Sequence, residues 1–172
     1  MLKNLKIYKS VSNSLIEEGI NKNRLGFDII VNVKKVKKDE YSFDCIHLPL
    51  SNYTDLNGIK NLIINYYNSL CDKEILSGFT YEDVPVWLST ENQTNFKAAY
   101  DLAVQMQGEN GTLPLKFKFG TDKEPVYRVF DNLPELTQFY TSAIGYIRST
   151  LEKYWDIKDE INWSKYEIKT EE

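Results

Sequence analysis

The run Gly78-Phe79-Thr80-Tyr81-Glu82-Asp83-Val84-Pro85-Val86-Trp87-Leu88 decides how the chain is read. Two short β-prone stretches flank a polar Glu82-Asp83 tip, which predicts a hairpin. Ser89-Thr90-Glu91-Asn92-Gln93 follows at once and reads as a helix start. Thr90 with Gln93 fits a capping box, in which the hydroxyl accepts from the backbone and the amide reaches back. Trp87, beside Pro85, is expected in the core, packed on the helix that begins at Thr90.

Moving toward the C-terminus, Phe96, Ala99, Tyr100, Ala103 and Met106 recur on one helix face. Gly108-Glu109-Asn110-Gly111 stops that helix with two glycines able to take the left-handed conformation. Leu113, Leu115, Phe117 and Phe119 then alternate with Pro114, Lys116 and Lys118, the pattern of a half-buried strand. Gly120 to Glu124 turns the chain into Val126-Tyr127-Arg128-Val129-Phe130, closing a second hairpin. Asp131-Asn132 and Pro134 mark the start of the longest helix. Its stripe is Leu136, Tyr140, Ala143, Ile147, Leu151 and Tyr154.

Moving toward the N-terminus, Leu56, Ile59, Ile63, Tyr66 and Leu70 predict a helix capped by Ser51 or Thr54 and ending near Cys71-Asp72-Lys73. Upstream the chain is β-rich. Leu5 to Tyr8 is a short strand candidate, and residues 10–26 read as an irregular or partly helical connection. From Phe27 to Val36, the residues Phe27, Ile29, Val31 and Val33 fall on one side. Tyr41, Phe43 and Cys45 continue that pattern beyond a polar Lys37-Lys38-Asp39-Glu40 loop. The expected architecture is α+β, with two small antiparallel β units packed with three main helices, the C-terminal one longest. A boundary is placed at residue 73, giving an N-terminal β-rich module plus helix (1–73) and a hairpin-helix-hairpin-helix domain (74–172).

Composition narrows the function. With 172 residues the chain can bury roughly 70% of its unfolded surface and needs no staples. Its net charge is −4. The one basic cluster, Lys34-Lys35-Val36-Lys37-Lys38, splits between the two faces of an extended segment, so no nucleic-acid partner is expected. No apolar run approaches the ~18–20 residues that cross a bilayer, and the N-terminus lacks the apolar core of a signal peptide. Cys45 and Cys71 sit in no metal-type spacing and are expected as free thiols. Twelve Tyr, eight Phe and three Trp supply rings for a core or an interface.

In their order and spacing, Gly78 to Tyr81, Val84 to Leu88 with its immediate helix, the Leu115–Val129 hairpin and the terminal helix resemble one domain. It is a domain of unknown function that recurs in tail, tail-fibre and baseplate-region proteins of tailed bacteriophages and prophages. Val84-Pro85-Val86-Trp87-Leu88 is similar to versions from phages and prophages of gut Bacteroidetes. The resemblance covers residues 76–163. It implies a virion structural protein made in the host bacterial cytoplasm, in contact with tail, fibre or portal-region proteins as a homo-oligomer or ring component. Two alternatives stand beside it: a tail-fibre assembly chaperone not retained in the virion, and a glycan-binding or glycan-cleaving host-attachment module.

The residues themselves assemble no evident chemistry. His47 shares a strand face with Cys45, but two ligands fall short of the four that structural zinc requires. The chain has one His and no Gly-x-Ser-x-Gly elbow, so a nucleophile with an oriented base is not expected. Glu82, Asp83 and Glu91 are explained by a hairpin tip and a helix first turn rather than by a glycosidase pair. No cofactor, metal, membrane or catalytic residue is therefore expected. Recognition is left to surface rings. Of the adjacent pair Tyr66 and Tyr67 one is expected to face outward, and Trp163 and Tyr166 are expected to contact a partner.

Overall fold

In the computed structural model, residues 5–52 and 55–167 are described. The class is α+β, with eight strands and three helices among these residues, the last helix being the longest. They form two compact units. One takes the chain up to Tyr66 and resumes at Glu160; the other is Tyr67–Asp159.

The first unit is built on a four-stranded antiparallel sheet in the order β1 (Ile7–Ser12), β4 (Glu40–Pro49), β3 (Gly26–Lys37), β2 (Gly19–Lys22). Two stretches expected to be irregular are therefore strands. Ser10 to Ser12 continue β1, and Gly19–Lys22 pairs with β3. The scattered polar residues that read as a connection are those of edge strands, which present one side to water. Register sets Phe27 opposite Leu48, Ile29 opposite Ile46 and Val31 opposite Asp44 on the buried face. On β4 the buried set is thus Asp44, Ile46 and Leu48; Tyr41, Phe43 and Cys45 lie on the other, half-buried face. The alternation of β3 breaks at Asn32, which has φ 56°. An extra residue is accommodated there, because Val31 faces Asp44 while Lys34 faces Ser42. Gly26 permits the close approach of β3 to β4: a Cβ there would stand 2.1 Å from the Leu48 carbonyl oxygen.

Helix α1 (Leu56–Ser77) begins at Asp55, whose carboxylate accepts from Gly58 N at 2.9 Å. Asp55 makes the cap expected of Ser51 or Thr54, and Thr54 lies outside the described residues. The helix passes the expected end by about a turn and carries the boundary between the two units, at Tyr66/Tyr67. No described helix is long and apolar enough to cross a membrane.

The second unit opens with the deciding hairpin, β5 (Thr80–Tyr81) and β6 (Val84–Pro85). Glu82 and Asp83 both have positive φ (50° and 62°), which gives the short turn the twist of a primed hairpin turn. Helix α2 (Thr90–Gln105) is capped one residue earlier than expected. The Ser89 hydroxyl accepts from Asn92 N at 3.2 Å, while Gln93 donates to Leu88 O instead of closing a capping box. Gly108, Asn110 and Gly111 all take positive φ past its end, as the glycine-bearing stop predicts.

Strands β7 (Leu115–Gly120) and β8 (Pro125–Phe130) form the second hairpin of this unit, and Asn132 caps α3 (Leu133–Asp159) by accepting from Glu135 N. The core of the unit is aromatic. Phe139 is fully buried on α3, with ring centroids of Tyr81, Phe96 and Phe119 at 5.1 Å and Phe130 at 5.2 Å. Two expectations for this core are corrected. Met106 is at the cap of α2 and exposed, and Trp87 is 51% exposed, because Val86 and Leu88 occupy the inward positions of an extended segment.

Candidate functional site

Within the first unit, the half-buried face of the sheet brings the singular His47 into a defined setting. Its Nδ1 lies 2.8 Å from Oδ1 of Asp28, directly opposite in register on β3. Oδ2 of Asp28 accepts from the Asn23 side-chain amide at 2.7 Å, so the carboxylate is held at both oxygens. Cys45 follows on the same face of β4, opposite Ile30. Burial pushes the Cys45 thiol up, and the Asp28 carboxylate adds to the effect. A thiol held in its neutral form is a poor nucleophile. The Cys45–His47 pair therefore reads as a packed, hydrogen-bonded strand face. No group of three or more His, Cys, Asp or Glu among the described residues is arranged to hold a metal ion.

On the buried face, Asp44 sits at 5% exposure beneath α1. Burying a carboxylate is costly unless its oxygens are satisfied. Here the Tyr66 hydroxyl donates to Oδ2, and Asn32, from the bulge, donates to the same oxygen at 2.7 Å. The irregular backbone of β3 and the inward tyrosine of α1 are thus two halves of one polar anchor.

The rings proposed for partner contact fall as follows. Tyr66 and Tyr67 are both buried, which corrects the expectation that one faces outward; adjacent helix positions can both be covered when a helix packs over a wide arc. Tyr166 is only 1% exposed and donates to the Ile30 carbonyl at 3.3 Å, so its ring is accounted for by the core of its own unit. Trp163, in the same short 3-10 turn (Trp163–Tyr166), is half-buried with the Lys60 ammonium 5.6 Å from its ring centroid. The turn packs against β2, where Lys165 O would stand 3.0 Å from a Cβ on Gly19.

An open cleft of about 860 Å3 lies between β2, the preceding loop and this turn. Phe27 and Ile30 contribute apolar lining, while Glu17, Glu18, Lys22 and Lys165 put both signs of charge on it, favouring no one ligand charge.

In the second unit, Glu82 at the hairpin tip pairs with Arg128 at 3.1 Å, and that guanidinium also stacks on Phe130. Asp83 and Glu91 are exposed, Glu91 in the first turn of α2. The acidic cluster is thereby divided between an ion pair and a helix N-terminus.

The feature not foreseen is the outer edge of the first unit's sheet. Ile7, Tyr8 and Val11 on β1 are 49%, 49% and 63% exposed, and β1 ends the sheet. Its alternating Ile7-Tyr8-Lys9-Ser10-Val11-Ser12 pattern was the available signal.

These features define an α+β protein with an open antiparallel sheet in one unit and an aromatic core in the other. Residues 58–172 match the model of a family described as a domain of unknown function (DUF4376), and the chain belongs to that family. No curated protein and no solved structure matches the chain.

Proposed function

We propose that this protein is a structural component of a tailed-bacteriophage particle, tail- or fibre-associated, that acts through protein–protein contacts in a symmetric assembly. The resemblance over residues 76–163 supports the setting. The observation that carries the contact role is a stripe on α3. Ile144 and Trp155 are eleven residues apart, three helical turns, and so lie on one face. Both are substantially exposed, with half-buried Leu151 between them. Isolated exposed apolar residues are ordinary, whereas an exposed tryptophan in line with aliphatic neighbours is the composition of an interface core.

Proteomics of density-purified particles tests the reading, with peptides from this chain quantified against the major capsid protein. A fixed stoichiometry typical of a tail or collar ring is expected. A chain abundant in infected cells and absent from particles would replace the structural role with that of an assembly chaperone.

A further inference from the structure

We propose that the outer edge of β1 is a docking site for an extended strand of a different protein, one carrying an acidic residue between two apolar residues. This goes beyond the assembly reading and shares with it only the premise that the partner is a protein.

The phase of the β1–β4 ladder fixes which backbone groups are available. His47 N donates to Lys6 O at 3.2 Å, and pairing continues from Ile7 opposite Ile46 to Ser12 opposite Tyr41. Hydrogen-bonded and non-hydrogen-bonded pairs alternate along an antiparallel ladder. Lys6, Tyr8, Ser10 and Ser12 therefore direct their amides and carbonyls into the sheet. Ile7, Lys9 and Val11 direct theirs outward, where no described strand pairs with them. The opposite edge differs: β2 has four residues and the Trp163–Tyr166 turn packs beside it. Edge strands are commonly blunted by charge, proline or cover. Here β1 carries a single lysine and two exposed aliphatic side chains.

Side-chain chemistry selects the occupant. Ile7, Lys9 and Val11 project from the same face, apolar–basic–apolar. A second copy could place Ile7 opposite Val11 only in a register that sets Lys9 against Lys9, and like charges directly opposite are destabilising. An acidic residue flanked by apolar ones answers the same three positions with attraction at the centre. Main-chain hydrogen bonds supply affinity in such strand addition, and alternate side chains supply specificity.

The test uses the full chain and the blocked heptapeptide Thr-Val-Thr-Glu-Thr-Val-Thr, followed by amide NMR and hydrogen exchange. Saturable binding is expected, with slowed exchange at the amides of Ile7, Lys9 and Val11. Val11→Pro removes only an outward donor, a position where an edge strand tolerates proline; it should weaken binding about tenfold or more. Lys9→Gln, which sets no like charge against Asp44 across the ladder, should remove the preference for this peptide over one with a central glutamine. No binding up to the peptide's solubility limit, binding indifferent to both substitutions, or self-association of the chain abolished by Val11→Pro would each overturn the proposal. Absence from purified particles, with peptide binding intact, would instead count only against the virion role.

Discussion

Tyr154 on α3 donates its phenol hydrogen bond to the carboxylate of Glu74 on α1 at 2.9 Å, joining positions eighty residues apart in sequence. The same carboxylate takes the Lys153 ammonium at 2.8 Å, and the Glu74 carbonyl accepts from Tyr146 at 3.0 Å. One residue in the last turn of α1 thus secures α3 at two points about two turns apart. Burial, then the hydrogen bond and charge of Glu74, raise the Tyr154 phenol well above its ordinary value.

Tyr154→Phe should cost about 1.5–3 kcal/mol at neutral pH, the range for a hydrogen bond to a charged acceptor. It should also change the alkaline limb. The folded protein holds the Tyr154 proton more tightly than the unfolded chain does. Stability is therefore intact below the ordinary phenol value near 10 and declines as pH rises beyond it. Cys45 and Cys71, both raised chiefly by burial, act with the same sign from nearer pH 9. Urea unfolding between pH 9 and 11 should show the variant losing stability less steeply above about pH 10, by up to about 1.4 kcal/mol per pH unit. Identical slopes in both proteins would refute this account.

Phe139→Ala removes the ring around which the second unit is packed and should cost about 3–5 kcal/mol. Trp87→Ser, at an exposed site, should stay within about 0.5 kcal/mol. Chemical denaturation of both variants checks the contrast, and a severe loss at Trp87 would contradict its placement.

Tyr66→Phe withdraws a donor from buried Asp44 and should cost about 1–3 kcal/mol. Replacing the pair together, Asp44→Leu with Tyr66→Phe, should be less damaging than the sum of the single changes, since the buried charge goes as well. A double-mutant cycle in urea measures the coupling; strict additivity would mean the contact is energetically idle.

Gly26→Ala forces a methyl against the Leu48 carbonyl and should cost about 1–3 kcal/mol or more. Gly145 in α3 faces open space where a methyl would stand, so Gly145→Ala should raise stability by about 0.5–1 kcal/mol. Thermal unfolding midpoints moving in opposite directions would bear out both.

The elements of the second unit were legible because their signals are local. The Ser89–Gln93 helix start (though its cap is Ser89 and not Thr90), Gly108, Gly111, Asn132 and the alternating Leu115–Phe119 run each act within a few residues. The first unit was harder for a physical reason. Alternation gave the buried Phe27, Ile29 and Val31 of β3 correctly, but the side of β4 that becomes buried depends on cross-strand register and on the bulge at Asn32, neither of which is encoded in alternation along one strand. Likewise, Tyr166 reads as a tail aromatic until the sheet that receives it, including Ile30, is in place. The His47–Asp28 contact is equally non-local: nineteen residues separate the partners, and only the pairing of strands brings them together.

The hydrogen bond from Tyr166 to Ile30 crosses the limit of the family match, which begins at residue 58. The matched segment therefore carries a plug whose socket lies in the unmatched part of the chain. A fragment cut at Gly58 would start inside α1 and expose a large ring built to be covered. Any different N-terminal half grafted onto this segment would have to offer a carbonyl acceptor and an apolar seat for that tyrosine. The sheet is thus constrained by its downstream sequence as well as by its own.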